Sequence, residues 1–166
     1  MFGRVQLVQV HLIFQVTGAV LSRGGDDGLV DLSSLERQRL VAVTAALFTH
    51  GIDAPELLHV WLHLESVTVV VRVTADWTLH ITPDEPGESY TMPELGSRVD
   101  VVPTPADAPF VRHVGERLVR VVEGFDIDQP AQRVQARFVF ETGSVVAWSF
   151  EGGLHLVGGE SSGLLE

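Results

Sequence analysis

The stretch SSLERQRLVAVTAALFTHG, residues 33–51, decides how the rest of the chain is read. Ser33 and Glu36 stand at capping-box spacing, in which a hydroxyl and a carboxylate satisfy each other's free backbone N–H groups at a helix start. Leu35, Leu40, Val43 and Leu47 recur at helical intervals among alanines, and Gly51 can take the left-handed position that ends a helix. The spacing predicts a helix over 34–50. Ahead of it, Gln6 to Val16 alternates. Val8, Val10, Leu12, Phe14 and Val16 share one face with Gln9, His11 and Gln15 opposite, the mark of a half-buried strand, and RGGDDG (23–28) reads as a turn. Behind it, Leu58, Val60, Leu62 and Leu64 alternate with His59, Trp61, His63 and Glu65. The β-branched run Val67 to Thr74, a turn at Ala75-Asp76-Trp77 and the segment TLHIT complete a three-stranded meander over 57–82.

The second half follows the same plan. Ser97 to Val102 reads as a strand, and Asp107 with Pro109 opens a second expected helix through VRHVGERLVRVVEG. RVQARFVFE, SVVAWSF and GLHLV form a second meander. THGIDAP (49–55) lies over GFDIDQP (124–130), so that Ile52, Asp53 and Pro55 match Ile127, Asp128 and Pro130; Leu79 and His80 match Leu154 and His155 at the same offset of 75. The expected fold class is therefore α+β: two tandem βαβββ modules with antiparallel meanders, packed as one domain over 1–166 with a pseudo-repeat of 1–82 and 97–157. Each module alone leaves a sheet face uncovered, which predicts that the two pack together.

Composition sets the outer limits. The 166 residues include 22 Asp plus Glu and 11 Lys plus Arg, a formal charge of -11, and the pI is about 4.9. A chain this acidic repels phosphate backbones, so nucleic acid is not an expected partner. Hydrophobic residues make up 45% and mean hydropathy is +0.23, which suits a packed core and not a disordered chain. No uninterrupted apolar run reaches the length of a membrane-spanning helix. There is no Cys, so no disulfide and no thiolate chemistry, and a reducing cytoplasm fits. Lys and Asn are also missing, as in proteins of high-GC bacteria.

Candidate chemistry is sparse. His59 and His63 have the H-x3-H interval, but four residues along a strand span about 13 Å, too far for both rings to hold one ion. The GxSxG match at 159–163 lacks the strand-turn-helix of a nucleophile elbow, and the glycine clusters lack phosphate-loop patterns. A paired βαβββ topology resembles the vicinal oxygen chelate superfamily, the glyoxalase and bleomycin-resistance group. That resemblance implies metal ligands on the first and last strands of each module: His11, His80, Asp100 and His155 by position, a set suited to iron, zinc or manganese.

Charge points elsewhere. Between Asp76 and Asp107 stand seven acids and one base, Arg98. Within this stretch Asp84, Glu85 and Glu88 accompany Tyr90 and Met92, a mixture of charge for steering and apolar groups for contact. The leading expectation is a non-catalytic, cofactor-free binding protein of a bacterial cytoplasm, an immunity or adaptor protein that meets a basic protein partner. The alternatives are a vicinal-oxygen-chelate-like metal enzyme or small-ligand-sequestering protein, and a structural component of a larger assembly.

Overall fold

The computed structural model describes residues 30–160. The expected strand at Gln6 to Val16, with His11, the turn at 23–28 and the end of the GxSxG match lie outside the described residues. Ten strands form: β1 (Leu40–His50), β2 (Glu56–Leu64), β3 (Thr68–Val73), β4 (Leu79–Pro83), β5 (Tyr90–Met92), β6 (Ser97–Pro103), β7 (Leu118–Phe125), β8 (Arg133–Phe140), β9 (Gly143–Phe150) and β10 (Gly153–Glu160). They make a six-stranded sheet, β4-β3-β2-β1-β6-β5, and a four-stranded sheet, β10-β9-β8-β7, in which every pairing is antiparallel.

The expected α+β architecture of βαβββ modules is thereby overturned, and with it the topological basis of the resemblance to the vicinal oxygen chelate superfamily. No helix among the described residues reaches seven residues. Each stretch expected to be helical holds instead a short 3-10 turn, Leu32–Leu35 or Pro109–His113, followed by a bulged strand, β1 or β7. A register shift between Leu40 and Ala42 lets Leu40 and Val43 both face the core, and the same shift between Leu118 and Arg120 does so for Leu118 and Val121. A β-bulge thus reproduces the three-residue apolar interval of a helix. β1 is also central in its sheet and apolar on both faces, which removes the polar alternation that marks a half-buried strand. The Ser33/Glu36 signal becomes a 3-10 turn, Leu32–Leu35, capped by Asp31, whose Oδ1 accepts from the Ser33 N–H at 3.0 Å. Arg37, at a φ of 69°, ends any continuation.

The two sheets pack face to face around one core. Leu40, Val43, Val60, Leu62, Leu64, Val69, Val71, Leu79 and Ile81 enter from the larger sheet. Leu118, Ala136, Phe138, Phe140, Val145, Ala147 and Leu154 enter from the smaller. Alternation along each strand puts these residues on the inner faces. At one end, Phe110 of a second 3-10 turn, Pro109–His113, meets Phe138 edge-on at 5.2 Å, and His113 stacks on Phe140 at 4.6 Å. The His113 ring is held by Glu116 through Nδ1 at 3.1 Å. Burial pushes the Glu116 carboxyl up, but hydrogen bonds from the Thr142 hydroxyl and N–H and from His113 outweigh it and hold it below the usual glutamate range.

Near that end the sheets are stitched directly. The Arg37 N–H donates to the Leu118 carbonyl at 2.6 Å and the Leu118 N–H to Gln38 at 2.8 Å. Leu40 donates to Glu116 at 2.9 Å and Gly115 to Leu40 at 2.7 Å. The β1–β4 and β7–β10 meanders share their strand order but not an identical register: His63 faces Thr68 in one, whereas Phe138, 75 residues on, faces Val145 in the other. Leu79 and Leu154 enter the core from the last strand of each. Both Ile-Asp-x-Pro segments fill the loop between the first two strands of a meander.

Close packing at the stitched end yields a direct test. A Cβ on Gly143 would lie 2.8 Å from the Gly159 carbonyl oxygen and 2.9 Å from His113 Cε1, closer than real Cβ contacts, so the β10 backbone or the stacked ring must shift. Gly143→Ala is expected to cost about 1–3 kcal/mol, and Phe138→Ala about 3–5 kcal/mol, in urea unfolding. A Gly143→Ala protein with an unchanged midpoint would contradict this packing.

Candidate functional site

The acidic residues singled out in the sequence lie on a strap. Residues 84–89 join β4 to β5, which are opposite edges of the six-stranded sheet. Five interstrand steps of about 4.8 Å separate those edges, so so short a connection must run extended and straight. The second sheet fills the inner face, and the strap therefore crosses the outer one. Its ends are fixed by the Asp84 N–H donating to the Thr68 carbonyl at 3.2 Å and the Val101 N–H donating to Ser89 Oγ at 2.8 Å. That outer face holds a second apolar cluster of Ala46, Trp61, Val70 and Val99, joined by Met92 from β5. The structure thus brings Asp84, Glu85, Glu88 and Tyr90 to one exposed surface, while Met92 serves chiefly as packing.

On the same outer face the His59–His63 pair separates into two unlike sites. Thr44 Oγ1 meets His63 Nε2 at 2.8 Å and Thr68 Oγ1 meets its Nδ1 at 3.3 Å, so hydroxyls of neighbouring strands engage both ring nitrogens. His59 packs edge-on to Trp61 at 5.8 Å. Burial lowers its pKa below the ordinary histidine value; the Leu58 backbone opposes this, Arg72 adds to it less strongly, and Asp84 opposes it least.

The four residues nominated as metal ligands do not converge. His80 lies on the outer face of β4, across from Arg72. His155 lies on the outer face of β10, stacked with Trp148 at 5.6 Å. The core of the sandwich separates the two, and facing sheets stand about 10 Å apart. Asp100, on β6, is bound to Arg98 at 2.8 Å, and His11 is outside the described residues. Among the described residues no three His, Asp or Glu side chains gather as a metal site would require.

A site that the sequence reading passed over occupies the outer face of the smaller sheet. It is a groove of about 860 Å³ whose walls include Val134, Val146, Trp148, Phe150 and Val157. Three turns raise its rim. In the β3–β4 turn, Asp76 Oδ1 accepts from Thr74 Oγ1 and from the Thr78 N–H at 3.2 Å, while Trp77 sits at a φ of 68°. Those hydrogen bonds, the Thr74 hydroxyl first, hold the Asp76 carboxyl below its usual range, so it stays ionised. In the β7–β8 loop, Asp126 Oδ1 accepts the N–H groups of Asp128 and Gln129 at 2.8 and 2.9 Å. The Gln132 side chain then ties this loop to the Asp76 carbonyl. The β9–β10 turn contributes Glu151, at a φ of 50°. Two of the three non-glycine residues with left-handed backbone among those described, Trp77 and Glu151, thus line one groove. Such conformations cost free energy and gather where surrounding structure enforces them. The available signals were an aromatic residue inside a tight turn, Trp77, and Trp148 at an outward position of its strand.

No protein-family model, no curated protein and no solved structure matches this chain, so the two surfaces are interpreted from their chemistry.

His59 supplies a test of the strap-covered face. Its folded pKa lies below the unfolded one, so at pH values between them the unfolded chain binds the extra proton. Stability that is full above about pH 6.5 is therefore lost as the pH falls toward the folded pKa. Urea unfolding across this window should show a smaller loss for His59→Gln than for the native chain. Equal losses would mean that His59 is as free to protonate in the fold as out of it.

Proposed function

We propose that this chain is a non-catalytic binding protein of a bacterial cytoplasm that meets a basic protein partner, as an immunity or adaptor protein does. The observation that carries this reading is the strap. It carries Asp84, Glu85 and Glu88 exposed beside Tyr90, which is 54% exposed, and among the described residues none of the three acids is in an ion pair. Carboxylates without a cation of their own keep their full field toward solvent, which speeds encounter with a basic surface. The net charge of -11 extends that field over the molecule. The absence of cysteine supports a reducing compartment, and no helix among the described residues is long and apolar enough to cross a membrane.

Selection from a random peptide library displayed on phage tests the reading without a known partner. Peptides enriched in Arg or Lys are expected, with association that slows between low and physiological salt as the screening length shrinks to about 8 Å. The combined change Asp84→Asn, Glu85→Gln and Glu88→Gln should lower the association rate more than it raises the dissociation rate. Enrichment of neutral or acidic peptides, or of none, would remove the basic partner.

A further inference from the structure

Steering charge and binding grip are different properties, and the strap supplies only the first. Its acids sit on an exposed ridge, whereas the residues that dominate binding energy are aromatic and cationic groups seated in concave, desolvated sites. The groove on the smaller sheet has that shape. The outer faces of the two sheets differ: Val70 and Trp61 are buried on the larger sheet, while Phe150 and Val157 are exposed on the smaller. The groove's charge is one-sided as well: among the described residues that line it, Asp76, Asp126 and Glu151 are set against one cation, Arg137. Two indoles, Trp77 and Trp148, line the same space, and Trp77 is 56% exposed. Ser149 Oγ is buried at the groove without a hydrogen-bond partner.

An indole face attracts a cation through its quadrupole, most strongly where water is displaced, and nearby carboxylates add direct attraction. Neither feature selects an acidic or purely apolar ligand. We infer that the groove lined by Trp77, Trp148, Asp76, Asp126 and Glu151 grips a cationic side chain from an extended arginine-rich segment of the partner. The inference rests on the basic-partner reading and locates the grip opposite the strap. Arginine fits better than lysine, because its planar guanidinium stacks on an aromatic face and keeps donors for carboxylates at its edge.

The probe is an arginine octapeptide, with a glutamate octapeptide as control, and the readout is tryptophan emission of the full chain. Trp61 is buried, so a binding response reports on Trp77 and Trp148. A saturable change with the arginine peptide alone is expected. Trp77→Asn keeps a residue that tolerates the left-handed turn and should weaken binding about tenfold. Glu151→Gln, a milder change on the same rim, should weaken it less, and both variants should keep the native thermal midpoint. The strap triple variant should slow association without a comparable gain in dissociation. If the strap variant loses the arginine peptide while Trp77→Asn and Glu151→Gln bind it as the native chain does, the groove assignment fails and the basic-partner reading stands. If the native chain binds the arginine peptide no better than the glutamate peptide, both fail.

Discussion

Four backbone hydrogen bonds between residues 37–40 and 115–118 hold one sheet in place over the other. Each meander can satisfy its own ladder, but neither can bury its inner face alone. The stitch sets where the leading strands, β1 and β7, begin relative to one another, and from that the interleaving of Leu62, Val71 and Ile81 with Phe138, Val145 and Ala147 follows. Side chains reinforce it: Arg117 donates to the Arg37 carbonyl at 3.0 Å and Arg39 to that of Gly115. At the far end the same alignment brings the β3–β4 turn against the β7–β8 loop, so the groove's rim is made of pieces from both sheets.

Two outer faces of similar construction meet different fates. On the larger sheet the 84–89 strap and the added strands β5 and β6 widen the surface and cover it, leaving a charged ridge over a dry cluster. On the smaller sheet nothing among the described residues does so, and apolar side chains line an open groove with carboxylates at its edge. Long-range attraction and short-range fit are thus divided between opposite sides of one sandwich.

Much of this was legible in sequence where the physics is local. β2 follows from period-two alternation and β3 from its β-branched run, β4, β6, β8, β9 and β10 read as short apolar segments between turns, and the acids of the strap are visible because charge is a property of composition. β1 and β7 were hidden by their bulges, which set Leu40 with Val43 and Leu118 with Val121 at a helix-like interval. The groove was hidden for another reason. Its residues come from 76–77, 126–137, 146–151 and 157, and concavity exists only once separate turns are brought to one end of the fold.

The stitch also orders events in time. Hairpins within a meander join near neighbours in sequence, whereas the Arg39–Gly115 contact spans 76 positions. Closing a loop of that length is the slower step, because its entropy must be lost before any contact across it compensates. On the ribosome, the first meander is finished long before its cover has been synthesised. Leu62, Val69, Val71 and Ile81 then form a bare apolar face on an incomplete chain, the kind of surface that chaperones hold and that neighbouring nascent chains stick to. The quality of the finished core is therefore also the measure of the hazard during its synthesis.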